Sequence, residues 1–303
     1  MKNNKISTLQ LAKICNVSQG TVDRALHNRS GIKDETRQRI IEAARKYGYR
    51  PDTESTKRLV GIIVFDLYND YFSELITKIE SALRSIGFYS IIMFTDKDKQ
   101  SELECIEKLY NAGVDCIILC PVNSGKDFAS YLKSWKIPVI TLGNKVDGIK
   151  YIGINNHRAM YELTKQLILE GHKKIIYFSP ALAYKDVNIY AQKQRMNGFT
   201  DAASEYGVHF SIITSREELD KLTPFDECVI MSSTDYYALE LILSNQYKGC
   251  IITGFDNIAT LSNLSIDIAT VDSDIAKTAQ AVADSIIFPD AEDVYIPHTL
   301  IGF

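Results

Sequence analysis

From Val60 onward, short and wholly apolar runs alternate with longer amphipathic stretches, and this alternation restricts the fold more than any other feature of the chain. Gly61-Ile-Ile-Val-Phe65 and Cys116-Ile-Ile-Leu-Cys120 have no polar face. Strands of that kind are buried on both sides, as in parallel sheets covered by helices above and below. The pattern predicts strands over 60–65, 89–94, 116–120 and 139–142, separated by helices over 71–86, 101–112 and 128–135. The second half repeats it, with helices over 158–170, 191–206, 236–246 and 275–288 and strands over 175–178, 210–213, 227–231, 250–254 and 268–271. Two such halves make an α/β protein of two doubly wound parallel-sheet lobes. A ligand cleft is expected between them, at the carboxyl ends of the strands.

The first 50 residues follow a different rule. Leu9, Leu11, Ala12 and Ile14 give a short amphipathic helix opened by Ser7 or Thr8. Cys15-Asn16-Val17 then leaves room only for a sharp turn, and Asn16 tolerates the left-handed backbone such a turn needs. Val17–Leu26 reads as the second helix, with Ser18 able to cap it and Val22 and Leu26 on its buried side. Gln19, Gly20, Asp23 and Arg24 fall on the opposite side. A third helix, from Asp34 to Tyr47, is closed by Gly48, a residue suited to a helix C-cap. Three helices in this arrangement form a helix-turn-helix head, a DNA-binding device.

Charge points the same way. Residues 1–50 hold eleven Lys and Arg against four Asp and Glu, a net +7 that leaves −11 on the rest of a chain whose total is −4. A basic head on an acidic body is the asymmetry expected when only the head meets phosphates. With 303 residues there is room for two or three domains, and 46% hydrophobic and 24% charged residues are ordinary for a globular protein. No apolar run approaches the ~20 residues of a membrane span, and the N-terminus lacks an apolar signal region. A cytoplasmic protein without a membrane partner is therefore expected. Cysteines 15, 105, 116, 120, 228 and 250 form no CxxC and read as reduced, mostly buried thiols, so neither a metal nor a cofactor is expected. The five histidines form no HExxH and GxSxG is absent. Ser124-Gly125-Lys126 lacks the rest of a phosphate loop, so the chain does not read as an enzyme.

With these features in place, the chain resembles the lactose-repressor (LacI/GalR) family of bacterial transcription regulators over essentially its whole length. The head carries the resemblance in Leu11-Ala12, Val17-Ser18, Thr21-Val22, Arg24, Thr36-Arg37 and Gly48-Tyr49-Arg50-Pro51. The body carries it in Gly61-Ile62, Leu169-Glu-Gly-His172-Lys-Lys-Ile175 and Arg195-Met-Asn-Gly198-Phe199, and again in Gly254-Phe255-Asp256-Asn257 and Thr270-Val271. The resemblance implies a homodimer on a pseudo-palindromic operator. It also implies a body like the type I periplasmic sugar-binding proteins, in which a small sugar-like effector closes the lobes and changes DNA affinity. Residues 1–50 would be the head, 51–59 a hinge linker and 60–303 the effector-binding domain. Its two lobes would be 60–155 plus 272–289, and 156–271 plus 290–303.

Gln19 and Arg24 are then the expected base readers, since an amide pairs with adenine and a guanidinium with guanine. Gly20 has no side chain to read with, but lets the helix approach closely. Asp23 either accepts from cytosine or orients Arg24 or another basic residue. Ser18, Thr21, Asn28 and Arg29 are expected phosphate contacts. In the cleft, Arg195 and Asp256 match the family's ligand-gripping arginine and aspartate. Tyr71 and Phe72 either stack on a sugar ring or pack in the core. Asp66, Asn69, Asn123 and Asn144 lie at strand ends from which the cleft can be reached. Gly143 stands where sugar-binding relatives often carry Asp. The linker also departs from the family: Asp52–Leu59 is eight residues long, and 52–58 offer no leucine to wedge into the minor groove. No standard hinge helix is expected, and hence little central bending of the operator. A soluble small-molecule sensor with a degenerate DNA-binding head is the alternative.

Overall fold

The computed structural model describes residues 6–26, 29–47, 49, 58–222 and 228–303. The expected C-cap at Gly48, the phosphate contact at Asn28 and linker residues 51–57 lie outside these. In the head, α1 (Thr8–Ile14), α2 (Gln19–Leu26) and α3 (Asp34–Lys46) pack around Leu11, Val22, Leu26, Ile40 and Ala44. Ser7 opens α1 with a capping box: its Oγ accepts from the Gln10 N–H, and Gln10 accepts from the Ser7 N–H. Asn16 adopts φ 50°, the left-handed turn that its place between two helices requires.

The first lobe is built from β1 (Leu59–Val64), α4 (Asp70–Ser85), β2 (Tyr89–Phe94), α5 (Lys99–Ala112), β3 (Cys116–Leu119), α6 (Lys126–Ser134), β4 (Val139–Thr141) and β5 (Lys150–Ile154). The second follows with α7 (Asn156–Leu169), β6 (Lys174–Phe178), α8 (Tyr190–Glu205), β7 (His209–Ile213), α9 (Arg216–Asp220), β8 (Val229–Ser232), α10 (Asp235–Ser244), β9 (Ile251–Thr253) and α11 (Ala259–Asn263). The chain closes with β10 (Thr270–Asp272), α12 (Ile275–Ile287), β11 (Val294–Ile296) and β12 (Thr299–Ile301).

Six parallel strands form the first sheet, in the order β11-β5-β4-β3-β1-β2, and four form the second, in the order β7-β6-β8-β9. In both sheets the order reverses beside the first strand of the lobe, which opens a crevice at the carboxyl ends. The apolar strands are indeed central: all four residues of β3 and of β8 are buried. β2 and β7 lie at sheet edges, and most of their residues are exposed or half-buried.

Two parts of the topology depart from the sequence reading. β5 was not expected, because Lys150 and Gly153 interrupt its apolar pattern. Its lysine is nevertheless buried, with Nζ held by Asp290 and by the Glu292 carbonyl at 2.8 Å. β11 pairs with β5, so residues 294–296 complete the first sheet. The assignment of all of 290–303 to the second lobe is corrected there, and the return comes only with β12, which pairs antiparallel with β10.

Candidate functional site

Two surfaces carry chemistry. In the head, α2 presents Gln19, Gly20 and Arg24 to solvent, while Val22, Ala25 and Leu26 are buried against α1 and α3. Ser18 caps the helix, its Oγ accepting from the Thr21 N–H at 3.1 Å, and the two hydroxyls lie 2.8 Å apart. Asp23 accepts from Arg29 Nη1 at 3.1 Å. That pair anchors Arg29 beside the exposed face of α2, one of the two roles the sequence left open for Asp23. A Cβ on Gly20 would meet only Ser18 Oγ at 3.9 Å, so the chain's own packing does not demand glycine there.

The second surface is a cavity of about 440 Å³ between the lobes. It lies where the strand topology puts it, with Phe65 and Asp66 following β1, Pro121 and Val122 following β3, and Gly143 and Asn144 following β4. Pro180 follows β6, Thr234 follows β8 and Asp256 follows β9. At its floor Arg195 is buried and held by three hydrogen bonds. Nε donates to Asn156 Oδ1 at 2.8 Å, Nη1 to the Ser233 carbonyl at 2.6 Å and Nη2 to Asp256 Oδ1 at 3.1 Å. The guanidinium also lies 3.6 Å from the centre of the Phe255 ring.

Asp256 is only 3% exposed. Burial, with the nearby Asp235 carboxylate, pushes its pKa up to about 7 against the opposing pull of Arg195. Asp235 is raised for the same first reason, and it accepts from Thr270 Oγ1 at 2.7 Å and from the Ile258 N–H at 2.9 Å. Gly254 is required beside it, because a Cβ there would fall 1.9 Å from Asp235 Oδ1. Burial and the Asp256 charge push the Tyr71 hydroxyl up to about 12. Next to it, Ser273 Oγ is buried without a hydrogen bond of normal geometry.

Of the expected cleft residues, the fold gathers Asp66, Asn69, Tyr71, Phe72, Asn144, Arg195 and Asp256 around the cavity. Asn69 also caps α4, accepting from the Tyr71 N–H at 3.0 Å. Asn144 braces the lobes: Nδ2 donates to the Asn188 carbonyl at 2.6 Å and Oδ1 accepts from the Ala191 N–H at 3.0 Å. Asn188 reinforces that brace by donating to the Asn123 and Lys145 carbonyls, each at 3.1 Å. Asn123 does not join the lining. Its amide turns to the Glu102 carboxylate at 2.7 Å and the Lys99 carbonyl at 3.0 Å, because the buried Glu102 needs donors. Tyr151, Asn156, Asn188 and Gln192 line the cavity without having been singled out. Tyr151 belongs to the unexpected β5 and Asn156 begins the helix after it. At Gly143, φ is +67° and the missing side chain leaves space for Phe72, whose ring would lie 3.3 Å from a Cβ. An aromatic ring edge therefore stands where the sugar-binding relatives' acidic group is absent.

Residues 57–222 match the family model for periplasmic binding proteins and the sugar-binding domain of the LacI family. Residues 9–52 match the model for bacterial regulatory proteins of the lacI family. Catabolite control protein A of Priestia megaterium is 25% identical over 278 residues, covering 83% of this chain and 82% of that protein. A periplasmic binding protein/LacI transcriptional regulator from Alkaliphilus metalliredigens QYMF, solved with D-xylulofuranose, superposes with a TM-score of 0.70 at 21% identity over 81% of this chain and 97% of its own. The lac repressor dimer bound to operator and the anti-inducer ONPF superposes with a TM-score of 0.68 at 15% identity, covering 98% of each chain.

Proposed function

Because the chain belongs to the LacI family of bacterial regulatory proteins, we propose that it is a transcription regulator, most simply a repressor, whose affinity for a two-fold operator is set by a sugar-like effector held between its lobes. The observation that carries this reading is the pairing, in one chain, of an exposed α2 face bearing Gln19 and Arg24 with an interlobe cleft floored by Arg195 and Asp256. Residues 1–50 act as the head, 51–58 as the linker and the rest, from Leu59 at the start of β1, as the effector domain. As a homodimer the protein places two α2 helices in successive major grooves about 34 Å apart. Gln19 and Arg24 read base edges there, Ser18, Thr21, Asn28 and Arg29 hold phosphates, and Gly20 permits close approach. Asp23 fixes Arg29. The effector's ring lies against Tyr71 and Phe72, with its polar groups toward Arg195, Asp256, Asp66, Asn69 and Asn144.

The proposed site of action is the cytoplasm; among the described residues no helix is long and apolar enough to cross a membrane. No group of metal-ligating side chains is present among them either. The proposed role is regulatory, and no catalytic step is assigned. Leu59 starts β1 and packs against the first lobe, so it is not free to wedge between bases. This supports a linker that does not kink the operator. Selection of random duplexes on the purified full-length protein tests the regulator reading. Enrichment of a two-fold site is expected. Recovery of unselected sequences that bind only in a salt-sensitive way would instead indicate a sensor with a degenerate head.

A further inference from the structure

The outer half of the cleft is not explained by the Arg195–Asp256 floor. Its walls are Phe65 and Asp66 from the first lobe and Tyr184, Tyr236, Tyr237 and Glu240 from the second. Lys97 reaches into it from the turn after β2. Its Nζ lies 2.8 Å from Asp66 Oδ2, 5.6 Å from the centre of the Phe65 ring and 5.9 Å from that of Tyr184. Aromatic faces and a carboxylate gathered around an ammonium group are the means by which proteins recognise amine cations. The backbone holds Lys97 there in an unusual conformation: Asp96 and Lys97 take φ of 50° and 62°, a region seldom used by residues other than glycine. The turn is pinned to the end of β1, with the Thr95 N–H donating to the Val64 carbonyl at 3.0 Å and the Asp96 N–H to that of Phe65 at 2.9 Å. Glu240, beside the Tyr236 hydroxyl, adds a second carboxylate on the opposite wall.

We propose that this outer half is a cation subsite occupied by Lys97 in the free protein, and that the effector carries a protonated amine, making it an amino sugar rather than a neutral one. The proposal rests on the effector reading given above. The amine of the ligand takes the place of Lys97 against Asp66 and the tyrosine faces. Hydroxyls of the same molecule meet the floor, where Ser273 Oγ is buried and lacks a well-formed bond. Since Lys97 and Asp66 belong to one lobe and Tyr184 to the other, the exchange also replaces a contact that spans the cleft. A neutral sugar leaves Lys97 where it is.

Matched probes that differ only at nitrogen test this. Glucosamine is titrated into the full-length protein against glucose and N-acetylglucosamine, and the disaccharide of two glucosamine units against cellobiose and diacetylchitobiose. Calorimetry reads binding, and fluorescence anisotropy of a selected operator duplex reads DNA affinity. The amine-bearing member of a set is expected to bind about tenfold or more tightly, the equivalent of one good cation–aromatic or charge contact. Lys97→Met, which removes the internal occupant, should strengthen amine binding, and Asp66→Asn and Glu240→Gln should each weaken it. Circular dichroism of the three variants confirms that each is folded. Equal binding of the neutral or acetylated probes overturns the proposal. So does the absence of binding by any amine-bearing probe, or an amine affinity untouched by Lys97→Met. Selective amine binding with no change in operator affinity upholds the subsite and removes the regulatory reading instead.

Discussion

Asp256 sits at φ 121°, a backbone angle that costs a non-glycine residue on the order of 1–3 kcal/mol and that persists only where the surroundings impose it. Here the backbone is held by the Asp256 N–H, which donates to the Val271 carbonyl at 2.9 Å, and by a bridge to Asp272, while Arg195 Nη2 holds the carboxyl group at the cleft floor. Its pKa rises from 3.8 to about 7 on folding, so the folded chain holds the proton more tightly than the unfolded one. The stability this group contributes is fully present below about pH 4 and is lost as pH rises from about 4 to about 7. Asp256→Asn removes the titration. The fall in unfolding free energy across that window is expected to be shallower in the variant by a few kcal/mol at most, at about 1.4 kcal/mol for each tenfold change in protonation. Urea unfolding from pH 4.5 to 7.5 measures it, and parallel slopes for the two proteins would contradict the assignment. Some slope remains in the variant, because Asp235 shifts in the same direction. On the head, Arg24→Ala should cost about 1–3 kcal/mol in operator affinity and relax preference at one base pair in each half-site. A loss spread evenly over all sequences would make Arg24 a phosphate contact.

At the scale of elements, α7 and α8 approach so closely at Gly198 that a Cβ there would fall 2.1 Å from the His157 carbonyl oxygen and 3.0 Å from the Tyr161 nitrogen. Backbone cannot yield as a side-chain tip can. Gly198→Ala is therefore expected to push the helices apart and lower stability by about 1–3 kcal/mol or more, seen as an earlier urea midpoint with an unchanged slope. A neutral substitution would mean that the helices slide freely. Most elements of this kind were legible in the sequence. β1, β3 and β8 announce themselves through unbroken apolar runs, and α1 and α2 through Ser7, Asn16 and Ser18. β5 was hidden because its strand signal is interrupted by Lys150, whose charge is met by Asp290, a residue 140 positions away. Missing β5 also hid Tyr151 and Asn156 at the cleft. Asn123 illustrates the reverse error: its position at a strand end is suitable, but the buried Glu102 takes its amide, and no local pattern signals that demand. Lys97 was invisible for a similar reason, since only the fold brings Tyr184 to it.

Across the whole molecule, one helix runs from the cleft to the buried core of the head. α12 begins beside the cleft, where Ser273 and Thr278 line the cavity, and its N-cap Asp274 accepts from the Lys277 N–H at 2.9 Å. Thirteen residues later it ends at Phe288, which is 4% exposed and buried in the same apolar cluster as Leu11, Val22, Ile40 and Ala44 of the head. A helix of that length spans roughly 20 Å, and its middle packs on α4 of the first lobe, where Ala279 and Val282 share a buried cluster with Leu75, Ile76, Ile79 and Leu83. The head is thus seated on the body by an aromatic side chain that the body itself provides. A core of a few apolar side chains has little margin, and truncating a buried Phe costs about 3–5 kcal/mol where the site cannot collapse. Phe288→Ala should therefore melt the head at a lower temperature while leaving the lobes and their effector affinity nearly unchanged. Operator affinity should fall together with the head's stability. Far-ultraviolet circular dichroism resolved into two transitions, with calorimetric titration of the effector, separates these effects. Phe288→Leu keeps most of the buried apolar surface and should recover most of the loss. If Phe288→Ala instead lowers cleft and head stability equally, the end of α12 belongs to the fold of the first lobe and does not seat the head.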